Sequence, residues 1–360
     1  RLPYISAAQW VGETVLRGRT VLAVAGTHGK TTTASLLAWI LTRAGLSPGF
    51  LLGGMSPNFG VSAQLGQPPF FVIEADEYDT AFFDKRPKFM HYSPTAALLS
   101  NLEFDHADIY DSIGDIMRQF HYLLRLLPPN GVVVVPAGDD KIAAALQMGV
   151  YCPTQTFGDG GLWQWRRYDD NIAIVYDDKE MCRFVPPLAG AANRDNILAA
   201  AALASFAGVK AELIGDYLLD FQPPLRRLQT IANIGGMVLV DDFAHHPTAY
   251  RVSLQALAER YPARRLLAIF EPRSNTMKAG VLAADLAGSL TAADRIIAVG
   301  TQPWLTEALS PLGGKAQVCE NTEAALTALR QEVHDNDCAL FMSNGDFDGL
   351  PQKLAAALGK

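Results

Sequence analysis

The stretch AGTHGKTTT, Ala25–Thr33, stands between an apolar run and a helical pattern. The run that leads into it, Thr20–Gly26 (TVLAVAG), predicts a buried strand, and Thr31–Ala44 predicts the following helix. Gly26 and Gly29 allow the backbone to curl so that its N–H groups point at phosphate oxygens, and the helix N-terminus adds a partial positive charge. Strand, glycine loop and helix in this order predict a phosphate-binding loop.

The residue types at the end of this loop suit a nucleoside triphosphate. Lys30 can neutralise charge on the β- and γ-phosphates, and the Thr31 hydroxyl can ligate Mg²⁺. The longer pattern G-x-x-x-x-G-K-[ST] needs glycine where Val24 stands, so this is a shortened variant, G-T-x-G-K-T. A glycine turn without a ligand is the alternative, but the coincidence of strand, loop, Lys-Thr and helix favours ATP. The residues expected to contact ATP here are Gly26, Thr27, His28, Gly29, Lys30, Thr31 and Thr32.

Apolar runs alternate with helical patterns along the chain, which predicts an α/β protein built of parallel βαβ units. Further strands are expected at Phe70–Ala75, Ala96–Asn101 and Val132–Pro136, and their continuous apolar character suits a sheet covered on both faces. Turn-rich pieces from Tyr151 to Phe184 predict an antiparallel excursion. An alanine-rich stretch at about Asn193–Ala207 predicts a helix.

A second domain is expected after the two prolines of QPPLRRL, Gln222–Leu228, which indicate a linker. The strands predicted beyond it lie at Met237–Val240, Leu266–Phe270, Arg295–Val299 and Ala339–Met342. We therefore expect a central P-loop ATPase-like domain with a mostly parallel sheet over residues 1–221, and a smaller Rossmann-like α/β domain over 222–360. A chain of 360 residues has room for two or three domains of about 150 residues each.

Composition excludes several classes of protein. The formal charge is −7 and no run of Lys or Arg occurs, which argues against a dedicated nucleic-acid binder. No apolar run approaches the ~20 residues of a membrane helix. The four cysteines, Cys152, Cys182, Cys319 and Cys338, are scattered without metal-like spacing, which predicts reduced, packed thiols in a cytoplasmic protein.

Acidic residues follow the predicted strand Phe70–Ala75 and should face the phosphate loop, because ligands of open α/β sheets bind at the carboxyl ends of strands. Glu74 or Asp76 could supply the oxygen ligands that a hard cation needs. A solvated acidic loop is the alternative. The next strand ends in SNLEFDHADIY, where Glu103, Asp105 and Asp108 surround His106, a candidate metal or phosphate ligand.

Later strand ends carry further polar side chains. Asn193 and Asn196 lie three apart at a helix start, where they could cap the helix or read an adenine edge. DDFAHHP, which begins at Asp241, could contact a nucleotide or serve only to cap the next helix locally. EPRSNTMKAG carries an arginine suited to substrate carboxylates. The candidate substrate contacts in DDFAHHP, EPRSNTMKAG and SNGDFDG are His245, His246, Arg273, Asn275, Ser343 and Asn344.

In this order, the motifs resemble those of the Mur ligase family, the ATP-dependent amide-bond ligases of peptidoglycan synthesis. The resemblance covers the whole chain. EADEYDTAFFDKR, NLEFDHADIY and EPRSNTMK look most like the branch that recycles murein peptides by joining L-Ala-γ-D-Glu-meso-diaminopimelate to UDP-N-acetylmuramate. The alanine-adding branch typically carries serine where Tyr78 stands.

The resemblance implies roles for individual residues. Lys30, Glu74 and His106 would be catalytic, with Thr31, Glu74 and His106 holding Mg²⁺. Asn193 would contact adenine, and Arg227 with Asp242 would reach ATP from the C-terminal domain. UDP-N-acetylmuramate and the tripeptide would be the small-molecule substrates, and the chemistry would pass through an acyl phosphate.

Departures from the family pattern keep alternatives open. Ala192 stands where histidine often precedes the adenine-binding asparagine, and SNGDFDG replaces the usual SNGGFGG. No lysine between Lys88 and Lys141 is available for the carbamylation used by many members. The family's N-terminal UDP-binding domain would precede this chain. The alternatives are the alanine-adding ligase, a folylpolyglutamate synthase relative, against which DDFAHHP argues, and an ATP-binding fragment without ligase activity of its own.

Overall fold

A computed structural model describes residues 4–359, and the chain divides into two compact units. The first comprises the residues up to Leu188 together with Ala192–Leu225. The second comprises Ala189–Ala191 together with the chain from Arg226 onward. No helix within the described part of the chain is long and apolar enough to cross a membrane.

The first unit is built on a sheet that has ten strands among the described residues, with a separate two-stranded hairpin. Its strands are β1 (Thr20–Ala25), β2 (Gly49–Ser56), β3 (Val61–Gln64), β4 (Phe70–Ala75), β5 (Asp79–Ala81), β6 (Asp84–Pro87), β7 (Ala96–Leu99), β8 (Val132–Pro136), β9 (Thr154–Phe157), β10 (Trp163–Tyr168), β11 (Asn171–Tyr176) and β12 (Lys179–Phe184). Its helices are α1 (Ala7–Trp10, continued as a π-helical turn over Val11–Val15), α2 (Lys30–Arg43), α3 (Ile113–Leu126), α4 (Asp140–Gln147), α5 (Ala191–Phe206) and α6 (Ile214–Leu218). The strand order is β12-β11-β10-β9-β8-β7-β1-β4-β2-β3, and β5 pairs with β6.

Strand β1 lies in the middle of this sheet and is buried on both faces. It pairs in parallel with β4 on one side and β7 on the other. Leu22 and Val24 pack into one core cluster, whereas Val21 and Ala23 pack into the cluster on the opposite face. Alternate residues therefore point to two cores, as the continuous apolar run predicts. The β1–β4 and β1–β7 registers bring the carboxyl ends of the three strands to one edge.

The second unit has a six-stranded sheet within the described residues, in the order β13-β14-β18-β15-β16-β17. These strands are β13 (Gln229–Ile234), β14 (Met237–Asp242), β15 (Leu266–Phe270), β16 (Arg295–Val299), β17 (Ala316–Cys319) and β18 (Cys338–Met342). Its helices are α7 (Pro247–Arg260), α8 (Asn275–Lys278), α9 (Ala283–Ser289), α10 (Pro303–Leu309), α11 (Thr322–Glu332) and α12 (Leu350–Leu358). Only the β13–β14 pair is antiparallel, so the expected α/β class with two mostly parallel sheets is confirmed.

Two predicted strands are too long because their last residues belong to the loops that follow. Strand β1 ends at Ala25, since Gly26 turns away with a φ of +133°. Strand β7 ends at Leu99, and Ser100 and Asn101 instead form hydrogen bonds with the phosphate loop. In both places a backbone that looks like a strand in sequence is diverted to shape the site.

Candidate active site

The loop between β1 and α2 has the tight curl that its glycines predict. Gly26 has a φ of +133° and Gly29 a φ of +82°, values that side chains rarely allow. A Cβ on Gly26 would lie 2.1 Å from Ser100 Oγ, and a Cβ on Gly29 would lie 2.8 Å from Asn196 Oδ1. Conformation therefore favours glycine at both positions, and at Gly26 the neighbouring Ser100 side chain and Asn101 backbone leave little room for a Cβ as well.

The residues after β7 support this loop from the side. Asn101 Oδ1 accepts a hydrogen bond from His28 N at 2.7 Å, and Asn101 Nδ2 donates to the His28 carbonyl at 3.1 Å. Ser100 Oγ donates to the same carbonyl at 3.1 Å. Thr27 Oγ1 accepts from Glu103 N at 2.9 Å. The conformation of the loop is thus fixed by side chains of the neighbouring strand end before any ligand arrives.

Lys30 is the central charge of the site and is surrounded by acceptors. Its ammonium donates to the Gly26 carbonyl at 2.7 Å and to Glu77 Oε2 at 3.0 Å, and it lies 3.5 Å from Asp76 Oδ1. Burial alone would lower the pKa of Lys30, but the charges of Glu77 and Asp76 outweigh it and hold the pKa above its ordinary value. Lys30 therefore remains a cation at any physiological pH.

Glu74, at the end of β4, contacts the residue that follows Lys30. Thr31 Oγ1 donates to Glu74 Oε2 at 3.0 Å. The other carboxylate oxygen accepts a hydrogen bond from Gly53 N, and a Cβ on Gly53 would lie 2.8 Å from Glu74 Oε2. Thr31 and Glu74, predicted as metal ligands, are thus brought together at hydrogen-bond distance.

His106 lies in the loop after β7 in a strained backbone conformation, with a φ of +56°. Its Nε2 lies 3.7 Å from Glu77 Oε1, and ligand atoms of Asp76, Glu77 and His106 all lie within 4.8 Å of one another. Burial lowers the pKa of the imidazole, but the hydrogen bond to Glu77 and the nearby Asp105 outweigh burial and raise it. This cluster offers two carboxylates and an imidazole on one side of Lys30.

Glu77 has no predicted role from the sequence, where it is one of the acids after β4, yet it links Lys30 to His106. Its side chain is 1% exposed. Burial raises the pKa of this carboxyl, but the Lys30 charge and the His106 hydrogen bond outweigh burial and lower it. The available signal was that Glu77 is the one acid in EADEYD that follows directly after another acid and precedes an aromatic residue, which does not reveal its burial.

The two asparagines of α5 are connected to the phosphate loop. Helix α5 begins at Ala191, so neither asparagine is its N-cap, and the capping alternative does not hold. Asn196 Oδ1 accepts a hydrogen bond from Thr33 Oγ1 at 3.1 Å, and Asn196 Nδ2 donates to Asn193 Oδ1 at 3.3 Å. Asn193 is therefore held through Asn196 against the first turns of α2, with its adenine contact remaining a prediction.

In the second unit, Asp242 ends β14 as a buried carboxylate. It accepts hydrogen bonds from Leu228 N at 2.7 Å, Ala244 N at 2.8 Å and Ser253 Oγ at 3.2 Å. Burial raises the pKa of Asp242, opposed by the charge of Arg227. The Arg227 guanidinium lies 4.8 Å from the centre of the Phe243 ring. Arg227 and Asp242 are thus neighbours, and the hydrogen bonds of Asp242 organise the surrounding backbone.

The two histidines of DDFAHHP make local contacts. His246 is the N-cap of α7, and its Nδ1 accepts a hydrogen bond from Thr248 N at 3.2 Å. His245 Nδ1 lies 2.9 Å from the Phe243 carbonyl. The local capping role that the sequence left open is therefore occupied by His246. A substrate contact by either histidine stays a prediction.

The ends of β15 and β18 meet around one acidic side chain. Ser343 Oγ donates to Glu271 Oε1 at 2.5 Å and accepts from Gly345 N at 2.8 Å. Arg273 Nη1 lies 3.6 Å from Glu271 Oε1 and 3.5 Å from Asp346 Oδ1. The strand ends thus bring Arg273 and Ser343 together at the edge of the second sheet.

The remaining two predicted substrate residues flank this group. Asn275 begins α8, directly after the Ser274 cap. The Oδ1 atom of Asn344 is buried and has no hydrogen-bond partner among residues 4–359. An acceptor buried without a partner is unusual and is suited to a donor supplied by a ligand.

Two family models match the chain. The Mur ligase middle domain matches residues 24–204, and the glutamate ligase domain of Mur ligases matches residues 226–345. The chain belongs to the Mur ligase family. The resemblance that the sequence motifs indicated is thereby confirmed, and so is the expectation that the chain is a ligase.

Individual Mur ligases align along most of this chain. The UDP-N-acetylmuramate–L-alanyl-gamma-D-glutamyl-meso-2,6-diaminoheptandioate ligase of Escherichia coli (strain K12) is 41% identical, over 100% of this chain and 80% of its own. A UDP-N-acetylmuramate–L-alanine ligase of Caldanaerobacter subterraneus subsp. tengcongensis is 33% identical, over 82% of this chain and 64% of its own. The crystal structure of a murein peptide ligase from Psychrobacter arcticus superimposes with a TM-score of 0.75 at 36% identity, covering 100% of this chain and 81% of that one.

Proposed function

We propose that this Mur ligase joins UDP-N-acetylmuramate to the tripeptide L-alanyl-γ-D-glutamyl-meso-diaminopimelate, using ATP and Mg²⁺, in the cytoplasmic recycling of peptidoglycan. The observation that carries the proposal is 41% identity along the whole chain to the Escherichia coli (strain K12) ligase whose name states that substrate pair. The 33% identity to the alanine ligase, over a smaller share of the chain, makes the alanine-adding reaction the second candidate.

The phosphate loop fits the triphosphate of ATP. The positive φ angles of Gly26 and Gly29 let the backbone curl, and a Cβ on either glycine would lie within 3 Å of a neighbouring side-chain oxygen. Lys30 lies at the start of α2, where the helix dipole also favours an anion. We propose that the Lys30 ammonium leaves Glu77 for the β- and γ-phosphates when the nucleotide binds. Asn193, Arg227 and Asp242 are the proposed contacts to the rest of ATP.

The polar groups beside the loop fit a hard divalent cation. Thr31 and Glu74 offer hydroxyl and carboxylate oxygens, the ligands that Mg²⁺ prefers, and His106 offers an imidazole beside Asp76 and Glu77. We therefore assign Thr31, Glu74 and His106 to metal binding. When bound, ATP and Mg²⁺ supply a transferable phosphoryl group whose charge the metal neutralises.

The chain's own residues would contribute electrostatics and orientation to the chemistry. A carboxylate resists attack by an amine, so its conversion to an acyl phosphate provides a good leaving group. Negative charge spreads over the phosphoryl oxygens during that transfer, and Lys30 with the backbone N–H groups of the loop would stabilise it. Correct orientation of the two reactants can contribute about 7–11 kcal/mol at best.

The second unit supplies the proposed peptide contacts. Arg273 is 45% exposed at the end of β15, and its ion pairs of 3.5 and 3.6 Å are longer than charge-assisted hydrogen bonds. Because these ion pairs are long, the Arg273 guanidinium can still donate two hydrogen bonds to a substrate carboxylate. The tripeptide carries several carboxylates. Asn275, Ser343, Asn344, His245 and His246 are the other proposed contacts.

A competition experiment tests the proposal. The full gene product is supplied with ATP, Mg²⁺, UDP-N-acetylmuramate and equal amounts of free L-alanine and the tripeptide, and the products are identified by mass. A UDP-muramyl-tripeptide is the expected product. A UDP-muramyl-alanine would assign the chain to the alanine-adding branch instead. ATP binding without either product would reject ligation and leave only the nucleotide site.

A further inference from the structure

Two tyrosines connect the loop after β4 with the loop after β7, and they do so in opposite directions. Tyr78, in the first loop, donates its hydroxyl to Asp108 Oδ2 in the second at 2.6 Å. Tyr110, in the second loop, donates its hydroxyl to the Glu77 carbonyl in the first at 2.6 Å. We call these four residues the tyrosine clasp. It joins the segment that carries Glu74, Asp76 and Glu77 to the segment that carries His106.

Tyr78 also restrains the ring of His106. The two ring centres lie 4.9 Å apart with an interplanar angle of 72°, an edge-to-face contact. Lys88, which donates to Asp76 Oδ2 at 2.6 Å, lies over the Tyr78 ring at 5.8 Å from its centre. The Tyr78 ring therefore contacts both a cation and an imidazole, and its hydroxyl is hydrogen-bonded to Asp108.

Tyr110 forms hydrogen bonds with the backbone of both loops, the one after β4 and the one after β7. Its side chain is buried, with 9% exposed, and its hydroxyl donates a buried hydrogen bond to the Glu77 carbonyl. The Tyr110 N–H donates to the His106 carbonyl at 3.1 Å, which closes a short turn between them. One side chain thus sets the position of Glu77 relative to the turn that begins at His106.

We infer that Tyr78 and Tyr110 are positioning residues: they hold the loop that carries His106 against the segment that carries Glu74, and so keep His106 in place for a divalent cation beside the nucleotide. This inference rests on the proposed ATP and metal site. His106 has a positive φ of +56°, a conformation that persists only where surrounding contacts enforce it. The clasp supplies contacts of that kind, from both loops.

The test measures metal binding directly, without ligation. Mn²⁺, a paramagnetic substitute for Mg²⁺, is titrated into the protein with ADP and followed by electron paramagnetic resonance, for wild type, Tyr78→Phe, Tyr110→Phe and the double variant. Phenylalanine keeps each ring and removes only the hydroxyl. Tyr250→Phe is the matched control, because the Tyr250 hydroxyl is buried in the second unit with no hydrogen-bond partner among residues 4–359.

We expect each single variant to bind Mn²⁺ about tenfold more weakly while ADP without metal binds within twofold of wild type. The two losses should combine less than multiplicatively, because removal of either hydroxyl already releases the same pair of loops. Tyr250→Phe should change neither affinity. Since no peptide is ligated, failure of the proposed ligase function would not alter these outcomes.

Several results would overturn the inference. One is an Mn²⁺ affinity that stays at the wild-type value in both single variants. If the melting temperature fell at the same time, the hydroxyls would have a structural role only. Another is an equal loss of Mn²⁺ affinity and metal-free ADP affinity. Tyr78→Phe keeps the test decisive if Tyr110→Phe does not fold, because Tyr78 is half-buried and its hydrogen bond to Asp108 lies at the surface.

Discussion

In both units a basic side chain lies near acidic side chains at the strand ends, but the cation is largely buried and closely paired in the first unit and exposed and loosely paired in the second. In the first unit, Lys30 is 15% exposed and touches a Glu77 side chain that is 1% exposed, at 3.0 Å. In the second, Arg273 is 45% exposed and its contacts to Glu271 and Asp346 are 3.5 Å or longer. The first site is therefore internally neutralised and must exchange partners to bind an anion. The second has a cation that can receive a carboxylate while losing little.

The largest effect is expected for Lys30→Ala, which removes the largely buried cation of the first site and leaves the Glu77 carboxylate buried without its main counter-charge. We expect kcat/KM for ATP-dependent ligation to fall by about 10³-fold, because a positioned cation for the phosphoryl oxygens is lost. Removing one partner of a buried ion pair should also cost about 3–5 kcal/mol of folding free energy. Steady-state kinetics and urea denaturation measure the two effects.

Glu77→Gln combined with Lys30→Ala separates these effects. The double variant removes the buried charge, so we expect its stability to recover towards wild type while its activity stays low. Lys85→Ala is the control, since Lys85 is 69% exposed on the β5–β6 hairpin. Ligation that survives in Lys30→Ala would reject the catalytic assignment of this residue.

The second prediction concerns the shape of the phosphate loop. Gly26→Ala places a Cβ 2.1 Å from Ser100 Oγ and 3.1 Å from the Asn101 backbone N, at a backbone φ of +133°, so Ser100 must give up its hydrogen bond to the His28 carbonyl and the loop must adjust. A shift of about 1 Å in a positioned group can cost about 100-fold in activity, and we expect a loss of that size in kcat/KM for ATP. Isothermal titration with ADP would show whether binding falls in parallel.

Gly18→Ala is the matched control for Gly26→Ala. Gly18 also has a positive φ, +74°, but a Cβ there would meet nothing within 4 Å. We expect a stability loss of about 1 kcal/mol from backbone strain, with unchanged ADP affinity. Equal effects of the two substitutions would mean that strain, and not the contact with Ser100, governs the loop.

Much of the first site could be predicted because its chemistry is local in sequence. AGTHGKTTT contains its own turn glycines, cation and hydroxyl, and the strand before it is apolar throughout. Glu74 could be placed opposite it because parallel strands end at one edge. The parallel character of the central strands was predicted from the βαβ pattern, but their order was not. Strands β2 and β3 were missed because GFLLGGMS contains three glycines and shows no clean alternation.

The contacts that were missed depend on burial and on residues distant in sequence. Nothing in EADEYD distinguishes the buried Glu77 from the half-buried Asp76. Ser100 and Asn101 continue an apolar run, so their hydrogen bonds to the loop could not be anticipated from it. Likewise, the N-cap role of His246 is set by where α7 begins, which DDFAHHP alone leaves open.

The third prediction tests whether Arg273 in the second unit is available to bind a substrate carboxylate. Arg273→Ala should raise KM for the tripeptide about tenfold and leave KM for ATP unchanged, because only a substrate carboxylate loses its partner. Stability should change by less than about 0.5 kcal/mol, as expected for exposed ion pairs. Arg118→Ala, which removes another exposed cation paired with a nearby aspartate, is the control. A parallel rise in both KM values would argue against a peptide contact.

The smallest effect expected is a pH-dependent one at Asp76. Partial burial raises the pKa of this carboxyl, but Lys30 and Lys88 outweigh burial and bring it from 3.8 to about 2. A folded-state pKa below the unfolded value means that the group stabilises the fold above pH 3.8, and that this contribution is lost as the pH falls towards about 2. Asp76→Asn should therefore cost about 1 kcal/mol of folding free energy at pH 6, and the difference from wild type should shrink below pH 4.

Urea denaturation across this pH range measures the stability difference. Asp346→Asn is the exposed counterpart beside Arg273, and a smaller difference from wild type is expected for it at pH 6. If the Asp76→Asn difference stayed constant down to pH 2.5, the carboxylate would not be held ionised by the lysines, and the internal neutralisation of the first site would have to rest on Glu77 alone.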